Sequence, residues 1–472
     1  VASVESEKCV ACGRCVENCP AGAVKLGQKL CTKDGYIEYP RQELPDDVKW
    51  GPEKWSVDYR DRNRINCYNT GTSPCKTACP AHIAVQGYLK LAAQGKYQEA
   101  LALIKKDNPF PAVCGRVCNK RCEEACTRGT IDQAVAIDEV KRFIAQQDLN
   151  AETRFVPEKV IPRVDGEFPE KIAVIGAGPA GLSVAVRLNA KGYEVTLFDS
   201  KPMPGGLLRY GIPNFKLHKP IIDRRIRVME EEGILFKMNS DMDVRQLPEG
   251  FDAYCICTGT PQARDLNIPG RELKGIYLAL EMLSQQNQIL DGATFPKDQL
   301  VNAKGKRVLV IGGGDTGSDC IGTSIRQGAV SVTQIEIMPQ PPVGHNDATP
   351  WPQWPIVLKT TSSHEEGCTR RWSLASNQFI GKNGKVCGVE VEEVEWTPAQ
   401  DGGRPTMKPT GKKEVIDTDM VLLAMGFLKP EQPEFPENVF VAGDAARGAS
   451  LVVHALADGR RVAERIDKYL SD

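Results

Sequence analysis

The sequence lacks several features that would have narrowed its reading. It has almost no net charge: 60 Lys and Arg against 61 Asp and Glu leave −1. That removes the electrostatic case for nucleic acid or an anionic membrane surface. It has no long apolar run. "VLLAMGFL" is typical of the longest, well under the ~18 residues a spanning helix needs. No charged segment followed by an apolar one opens it, so no export leader is expected. Histidine is scarce, five in 472 residues, and His82, His218, His345 and His364 show no metal-ligand spacing. The chain opens on Val1 rather than Met, so further residues are expected upstream.

Cysteine is abundant. Of 17, twelve precede residue 127 and five (Cys255, Cys257, Cys320, Cys368 and Cys387) are scattered beyond it. A disulfide framework suits small secreted domains; a chain of this length, expected to form about two to four domains, points instead to metal. "CVACGRCVENCP" places Cys9, Cys12, Cys15 and Cys19 in a C-x2-C-x2-C-x3-C-P run. Three thiolates so spaced wrap one 4Fe–4S cube, and Pro20 turns the chain away. A zinc site is the competing reading, but zinc motifs usually pair C-x2-C with a distant second pair. In two-cluster ferredoxins the fourth cysteine serves the other cube, so Cys19, Cys31 or a run upstream completes this one; the spacing leaves these open.

"CYNTGTSPCKTACP" carries Cys67, Cys75 and Cys79, and "CGRVCNKRCEEAC" carries Cys114, Cys118, Cys122 and Cys126 four apart. On one straight helix, steps of four drift by about 40° each, a fan of about 120°. That is too wide for one cube, so these cysteines are shared between two clusters or the helix breaks. Between them, "AHIAVQGYLKLAAQGKYQEALALIKKDNPFP" reads as two helices with a turn at Gly95.

"KIAVIGAGPAGLSVAVRLNAKGYEVTLFDS" reads as strand, glycine turn, helix and strand. Gly176, Gly178 and Gly181 form G-x-G-x-x-G, with Pro179 and Ala180 between the last two, and Asp199 follows Gly176 by 23 residues. The glycines permit a tight turn and close approach of a pyrophosphate, the helix N-terminus stabilises the anion, and the acid meets a ribose hydroxyl. "KRVLVIGGGDTGSDCIGTSIRQGAVSVTQIEIM" repeats the design with Gly312, Gly314, Asp315, Thr316, Gly317 and Glu336. Two dinucleotides are therefore expected. "AYCICTG" puts Cys255 and Cys257 on one strand face, in the core. Cys320 is expected to pack in the helix after the second loop, and the basic run at residues 224–227 to lie on a solvated helix face.

Residues 66–472 resemble the glutamate synthase small subunit, as do the helical domain of dihydropyrimidine dehydrogenase and the large subunit of NADH-dependent reduced ferredoxin:NADP oxidoreductase over parts of it. The segments carrying the likeness are the two cysteine stretches, "GGLLRYGIPNFKL", "TGTPQARDLNIPG", "PWPQWP", "SSHEEG" and "VFVAGDAARGASLVVHALADGRR". The resemblance implies two interleaved 4Fe–4S clusters in the helical domain, one on Cys79, Cys118 and Cys122, the other on Cys67, Cys75 and Cys126. Two positions depart from it: Thr70 stands where relatives carry a cysteine, and Lys141 where they carry Gln or Glu. Cys114 could fill either place, and Glu139 is a weaker candidate. The resemblance further implies FAD in the first dinucleotide unit, met also by Gly206, Leu207, Arg209, Thr258, Gly259, Gly443, Asp444, Ser450, Leu451 and Val452. NAD(P)H enters the second, with Glu336 favouring a free 2′-hydroxyl and Arg370 and Arg371 placed to approach a 2′-phosphate.

The expected fold is α/β: a ferredoxin-like segment (1–33), a linker (34–65), a helical double-cluster domain (66–160), an FAD domain (161–290 and 432–472) and an NAD(P)H domain (291–431). No catalytic side chain is expected, because a nicotinamide hydride passes to flavin and leaves as single electrons through clusters. The expected function is an electron-transfer subunit of a multisubunit NAD(P)H–ferredoxin oxidoreductase, with electron bifurcation left open. The partners would be other iron–sulfur and flavin subunits or ferredoxin, in the cytoplasm of an anaerobe. The alternatives are a glutamate synthase small subunit feeding an amidotransferase, and a structural subunit with vestigial nucleotide sites.

Overall fold

The computed structural model describes residues 29–32, 35–38, 73–130, 132–150, 170–343, 357–397 and 405–471. Cys9, Cys12, Cys15, Cys19, Cys67, Thr70 and the segment "PWPQWP" lie outside these. The antiparallel pair β1 (Lys29–Thr32) and β2 (Gly35–Glu38) comes first.

Helices α1 (Pro74–Ala78), α2 (Val85–Ala93), α3 (Tyr97–Lys105), α4 (Pro111–Val117), α5 (Arg121–Glu124) and α6 (Ile137–Asn150) form the helical domain. The turn at Gly95 has φ +75°. Ile83, Val85, Tyr88, Leu101, Ile104, Ile137 and Ile144 close its core, together with Val453 from the far end of the chain. The helix through the four-apart cysteines does break. Cys118 ends α4 in extended geometry, and Lys120 starts α5 from the left-handed region at φ +58°. With the straight-helix constraint removed, Cys114, Cys118 and Cys122 can share a side.

Two parallel five-stranded sheets follow. The first has the order β15-β6-β3-β4-β5, from β3 (Lys171–Ile175), β4 (Glu194–Phe198), β5 (Leu235–Lys237), β6 (Ala253–Ile256) and β15 (Val439–Val441). The second has the order β10-β9-β8-β14-β7, from β7 (Ile276–Leu278), β8 (Arg307–Ile311), β9 (Ser331–Ile335), β10 (Thr369–Arg371) and β14 (Met420–Leu423). The antiparallel strands β11 (Leu374–Lys382), β12 (Lys385–Thr397) and β13 (Thr406–Asp417) pack against the second. Helix α7 (Pro179–Lys191) links β3 to β4. Short α8 (Leu207–Tyr210) and α9 (Pro220–Glu231) follow, then α10 (Ala279–Leu290), α11 (Asp315–Arg326) and α12 (Ser362–Glu365). Helices α13 (Asp444–Arg447) and α14 (Val452–Ser471) end the chain.

The boundary expected at residue 290 moves. Strand β7 pairs with β14, and Met282 and Leu283 of α10 lie in the second core, so residues 276–290 belong with the second sheet. A three-residue strand is too short to show an alternation in sequence. The expectation for residues 224–227 is also overturned, because only Arg227 is exposed. Arg224 reaches Asp148 at 3.0 Å, where Lys105 also points at 3.8 Å. Arg225 donates to the Pro109 carbonyl at 3.0 Å and pairs with Glu232 at 2.8 Å. The contacts to Asp148 and to the Pro109 carbonyl hold α9 against the helical domain. Asp148→Ala would leave two mostly buried cations without their shared carboxylate. We expect a loss of about 1–3 kcal/mol, read as a lower midpoint of the first thermal transition; an unchanged midpoint would remove the clamp.

Candidate cofactor and cluster sites

Strand β3 delivers the chain to Gly176 at φ +110°, and β8 delivers it to Gly312 at φ +126°. An added Cβ would overlap the carbonyl oxygen of Cys257 at the first and of Ala424 at the second, so both turns require glycine. Gly178 precedes α7 and Pro179 opens it, leaving the free N–H groups of the first turn over the loop. From the end of β4, Asp199 Oδ2 accepts the Ala177 N–H at 2.7 Å and Oδ1 accepts that of Lys201 at 2.9 Å. Its carboxylate is thus fixed at the rim. Gly206 lies against Gly178, Thr258 and Gly259 follow β6, and Gly443 and Asp444 follow β15. The Gly443 N–H donates to Asp458 Oδ2 at 2.7 Å, and Ser450 Oγ donates to Asp444 Oδ1 at 2.5 Å. Burial pushes the Asp444 carboxyl above its usual range. These groups share the carboxyl end of one parallel sheet, where such sheets bind ligands. The bare glycine backbone, helix N-terminus and fixed acid fit a dinucleotide such as FAD.

Arg209 does not join them. It is 3% exposed, donates Nε to the Pro204 carbonyl at 3.0 Å, and pairs with Asp223 and with Asp291 at 3.6 Å. It ties α8 to its surroundings. Leu207 beside it is exposed.

In the second unit the Glu336 carboxylate lies against the glycine loop, on the space a Cβ at Gly313 would fill. Burial pushes its carboxyl up, with Arg370 opposing. Arg371 is ion-paired with Glu414, with one contact at 3.1 Å. Arg370 donates to the Lys359 carbonyl at 3.1 Å and lies 5.1 Å from the Trp372 ring. Of the groups expected near the ribose, Glu336 is the one standing over the loop.

A brace behind this loop escaped the sequence reading. Gln334 Nε2 donates to the Gly312 carbonyl at 2.9 Å, and its Oε1 lies 3.2 Å from His364 Nε2. The Thr361 N–H donates to His364 Nδ1 at 3.0 Å, and Thr361 Oγ1 meets Ser318 Oγ at 2.6 Å. With Nδ1 accepting, His364 is neutral and donates from Nε2. Burial lowers its pKa to about 4. The available signal was Gln334, a polar residue on the inner face of an apolar strand.

Cys79, Cys114, Cys118 and Cys122 line one cavity of the helical domain, with Lys141 and Val453. Cys75 and Cys126 lie together elsewhere, near enough for one thiolate to disfavour the other. Glu139, half exposed, is taken by Lys120 at 3.4 Å and Arg142 at 3.7 Å. Burial pushes the Cys114 thiol up to about 12 and those of Cys79 and Cys122 above their usual range. They are protonated until a metal displaces the proton. Among the described residues no three His, Cys, Asp or Glu side chains close on a point suited to a single ion. A four-iron cube is larger than an ion, and thiols around a cavity suit it.

Cys255 and Cys257 are buried with sulfurs 3.6 Å apart, and Cys320 is buried in α11, all as core. No helix among the described residues is long and apolar enough to cross a membrane.

Comparison with known proteins places the chain among iron–sulfur oxidoreductases. Residues 2–25 match the 4Fe–4S binding domain family, residues 58–153 the family of dihydropyrimidine dehydrogenase domain II, 4Fe–4S cluster, and residues 170–349 the pyridine nucleotide-disulphide oxidoreductase family. The glutamate synthase [NADPH] small chain of Mycobacterium tuberculosis is 34% identical over 475 residues, covering 92% of this chain and 95% of that one. The glutamate synthase [NADH] of Saccharomyces cerevisiae is 36% identical, covering 86% of this chain and 20% of that longer protein. Among solved structures, Mycobacterium tuberculosis FprA in complex with NADPH aligns with a TM-score of 0.52 at 20% identity, over 64% of this chain and 85% of that one, a likeness of fold.

Two outcomes follow from the second loop. With Glu336 over it and Arg371 engaged by Glu414, NADH should exceed NADPH in kcat/KM by about tenfold, roughly 1.4 kcal/mol. Glu336→Ala should erase that margin; steady-state kinetics giving NADPH the advantage in the wild type would contradict the assignment. The His364 brace is intact above pH 6.5. As pH falls, the unfolded chain takes up the proton first, so stability declines from about 6.5 and levels off below about 4, a loss of up to roughly 3 kcal/mol. Denaturant midpoints across this range should fall in the wild type and stay flatter in His364→Gln. Parallel slopes would show the brace is not titrating.

Proposed function

The chain belongs to the glutamate synthase small-chain family, and from that premise we propose that it is the electron-input subunit of a glutamate synthase-type complex, delivering reducing equivalents from NAD(P)H to an amidotransferase partner. It is an NAD(P)H-dependent iron–sulfur flavoprotein oxidoreductase whose cofactors are FAD and 4Fe–4S clusters. When bound, FAD would supply the exchange of a hydride for single electrons, and the clusters a one-electron route onward. The rest is positioning. The Gly176 loop, α7 and Asp199 hold one dinucleotide at the end of the first sheet. The Gly312 loop, Glu336 and the His364 brace hold the other at the end of the second. The Ser450–Asp444 hydrogen bond ties the start of α14 to the crevice, and the positive end of that helix would favour negative charge there. No side chain of this set is asked to act as acid, base or nucleophile.

One observation carries the proposal. Ser450 hydrogen-bonds to Asp444 at the crevice, while Leu451 and Val453, one and three residues on, pack into the core of the cluster domain. The start of α14 therefore touches both the flavin crevice and the cavity lined by Cys79, Cys118 and Cys122. A path between the two-electron and one-electron halves would run through this helix start.

A second reading is favoured by the run Cys9, Cys12, Cys15 and Cys19 and its 4Fe–4S family match at residues 2–25. There the chain serves a ferredoxin-linked NAD(P)H complex with other iron–sulfur and flavin subunits, electron bifurcation being its finer form. The match along 95% of a glutamate synthase small chain favours the first reading. A structural role with vestigial sites has little support, since both loops keep their glycines and acids. The cytoplasm is the expected setting under either reading.

Anaerobic native purification with identification of co-purifying chains separates the two. An amidotransferase-type partner supports the first; partners carrying further flavin and iron–sulfur groups overturn it in favour of the second. Cys118→Ser should lose one cluster while flavin stays, because the cavity and crevice are built by different domains. Asp199→Ala should lower flavin occupancy, read by absorbance; full occupancy would displace the ribose assignment.

A further inference from the structure

Three cysteines of the cavity were expected to share a cluster, with Cys114 or Glu139 as the fourth ligand because Lys141 stands where relatives carry Gln or Glu. The structure separates them. Glu139 is half exposed and engaged by Lys120 and Arg142. Lys141 is 4% exposed, lines the cavity, and is ion-paired with Asp138, which is equally buried. An ammonium has no lone pair to give a metal. Cys114 is 2% exposed, sits one helical turn before Cys118, and lines the same cavity as Cys79, Cys118 and Cys122. A second, independent feature lies beside it. Asn108 is fully buried on the cavity wall, its Oδ1 accepts the Phe110 N–H at 2.9 Å, and its Nδ2 bears on the Cys114 thiol without closing a hydrogen bond to it. A buried, unused N–H donor costs stability unless something arrives to accept from it.

We propose that Cys114 is the fourth ligand of a 4Fe–4S cluster held by Cys79, Cys118 and Cys122, and that Lys141 and Asn108 are its charge and hydrogen-bond partners. The inference rests on the electron-transfer reading above. Four iron–thiolate bonds form as four thiol protons leave to solvent. A fourth thiolate adds a negative charge to a buried site, which is costly without compensation. The Lys141 ammonium supplies it from the wall, with Asp138 fixing its position. Asn108 Nδ2 is free to donate to a cluster or cysteine sulfur, an interaction that raises reduction potential. Lysine and a fourth cysteine thus make a matched pair: the first would repel a metal in an all-neutral site, and the second would overload one without a cation.

The test uses the full chain, reconstituted anaerobically with equal ferrous and ferric iron and with sulfide. It reads iron, acid-labile sulfide, flavin content and electron paramagnetic resonance of the oxidised and the reduced protein. Cys114→Ala should lose about four iron atoms per chain, or fall to a three-iron signal, with flavin retained. If the alanine variant does not fold, Cys114→Ser, closer in volume, is judged by the same criterion. Lys141→Met should keep its iron and move one cluster midpoint to a more negative value. Wild-type iron and an unchanged spectrum in the Cys114 variant would overturn the ligand assignment. An unchanged midpoint in Lys141→Met would overturn the charge role. Wild-type protein with no reducible cluster signal at all would instead defeat the electron-transfer reading, so the two failures are distinguishable.

Discussion

The packing of α14 on α7 is the contact on which the rest depends. Gly459 presents no side chain there, and a Cβ would overlap the Ala180 carbonyl oxygen. Ser183 Oγ donates to the Leu456 carbonyl at 2.7 Å. Farther along, Arg187 and Lys191 of α7 meet Glu464 and Asp467 of α14, each with a contact at 2.6 Å. Helix α7 starts at the first glycine loop, so this pairing fixes α14 relative to the dinucleotide crevice. The same α14 sends Arg460 to Asp107 and, at 3.1 Å, to the Ala81 carbonyl, and Val453 into the cluster cavity. The spacing between crevice and cavity is therefore set by one rigid element rather than by a loosely packed domain boundary.

What was legible in the sequence was what local chemistry requires. The two glycine turns are visible because no other residue tolerates their backbone, and the acids after β4 and β9 follow at a distance fixed by the strand–helix–strand unit. The helix pair around Gly95 is visible in its 3.6-residue period. The cysteine sets were legible as chemistry, but their geometry was not. Whether Cys114 to Cys126 lie on one helix turns on Cys118 and Lys120, and an unassisted left-handed lysine has no sequence signature.

The misreadings share a cause. Arg224 and Arg225 were placed on a solvated face because charge usually is solvated; their carboxylate and carbonyl partners are about 76 and 116 residues away in sequence. Arg209 was given to the cofactor through its neighbours, yet long-range pairing with Asp223 and Asp291 takes it inward. Arg371 is engaged by Glu414 from a strand of another sheet. The His364–Gln334–Gly312 brace joins three separate elements. In each case the decisive partner is tertiary, and no local pattern encodes it.

The insertion of one unit inside the other also dictates an order of assembly. The second sheet draws its strands from one continuous stretch, residues 276–423, whereas the first waits for β15 and α14 at the very end of the chain. During synthesis the inner unit can close while the outer one still lacks Gly443, Asp444 and the helix that seals the cluster domain. Dinucleotide crevice and cysteine-lined cavity are thus completed by the same segment, β15 to α14. Before that segment is made, the inner unit would stand without its counterpart.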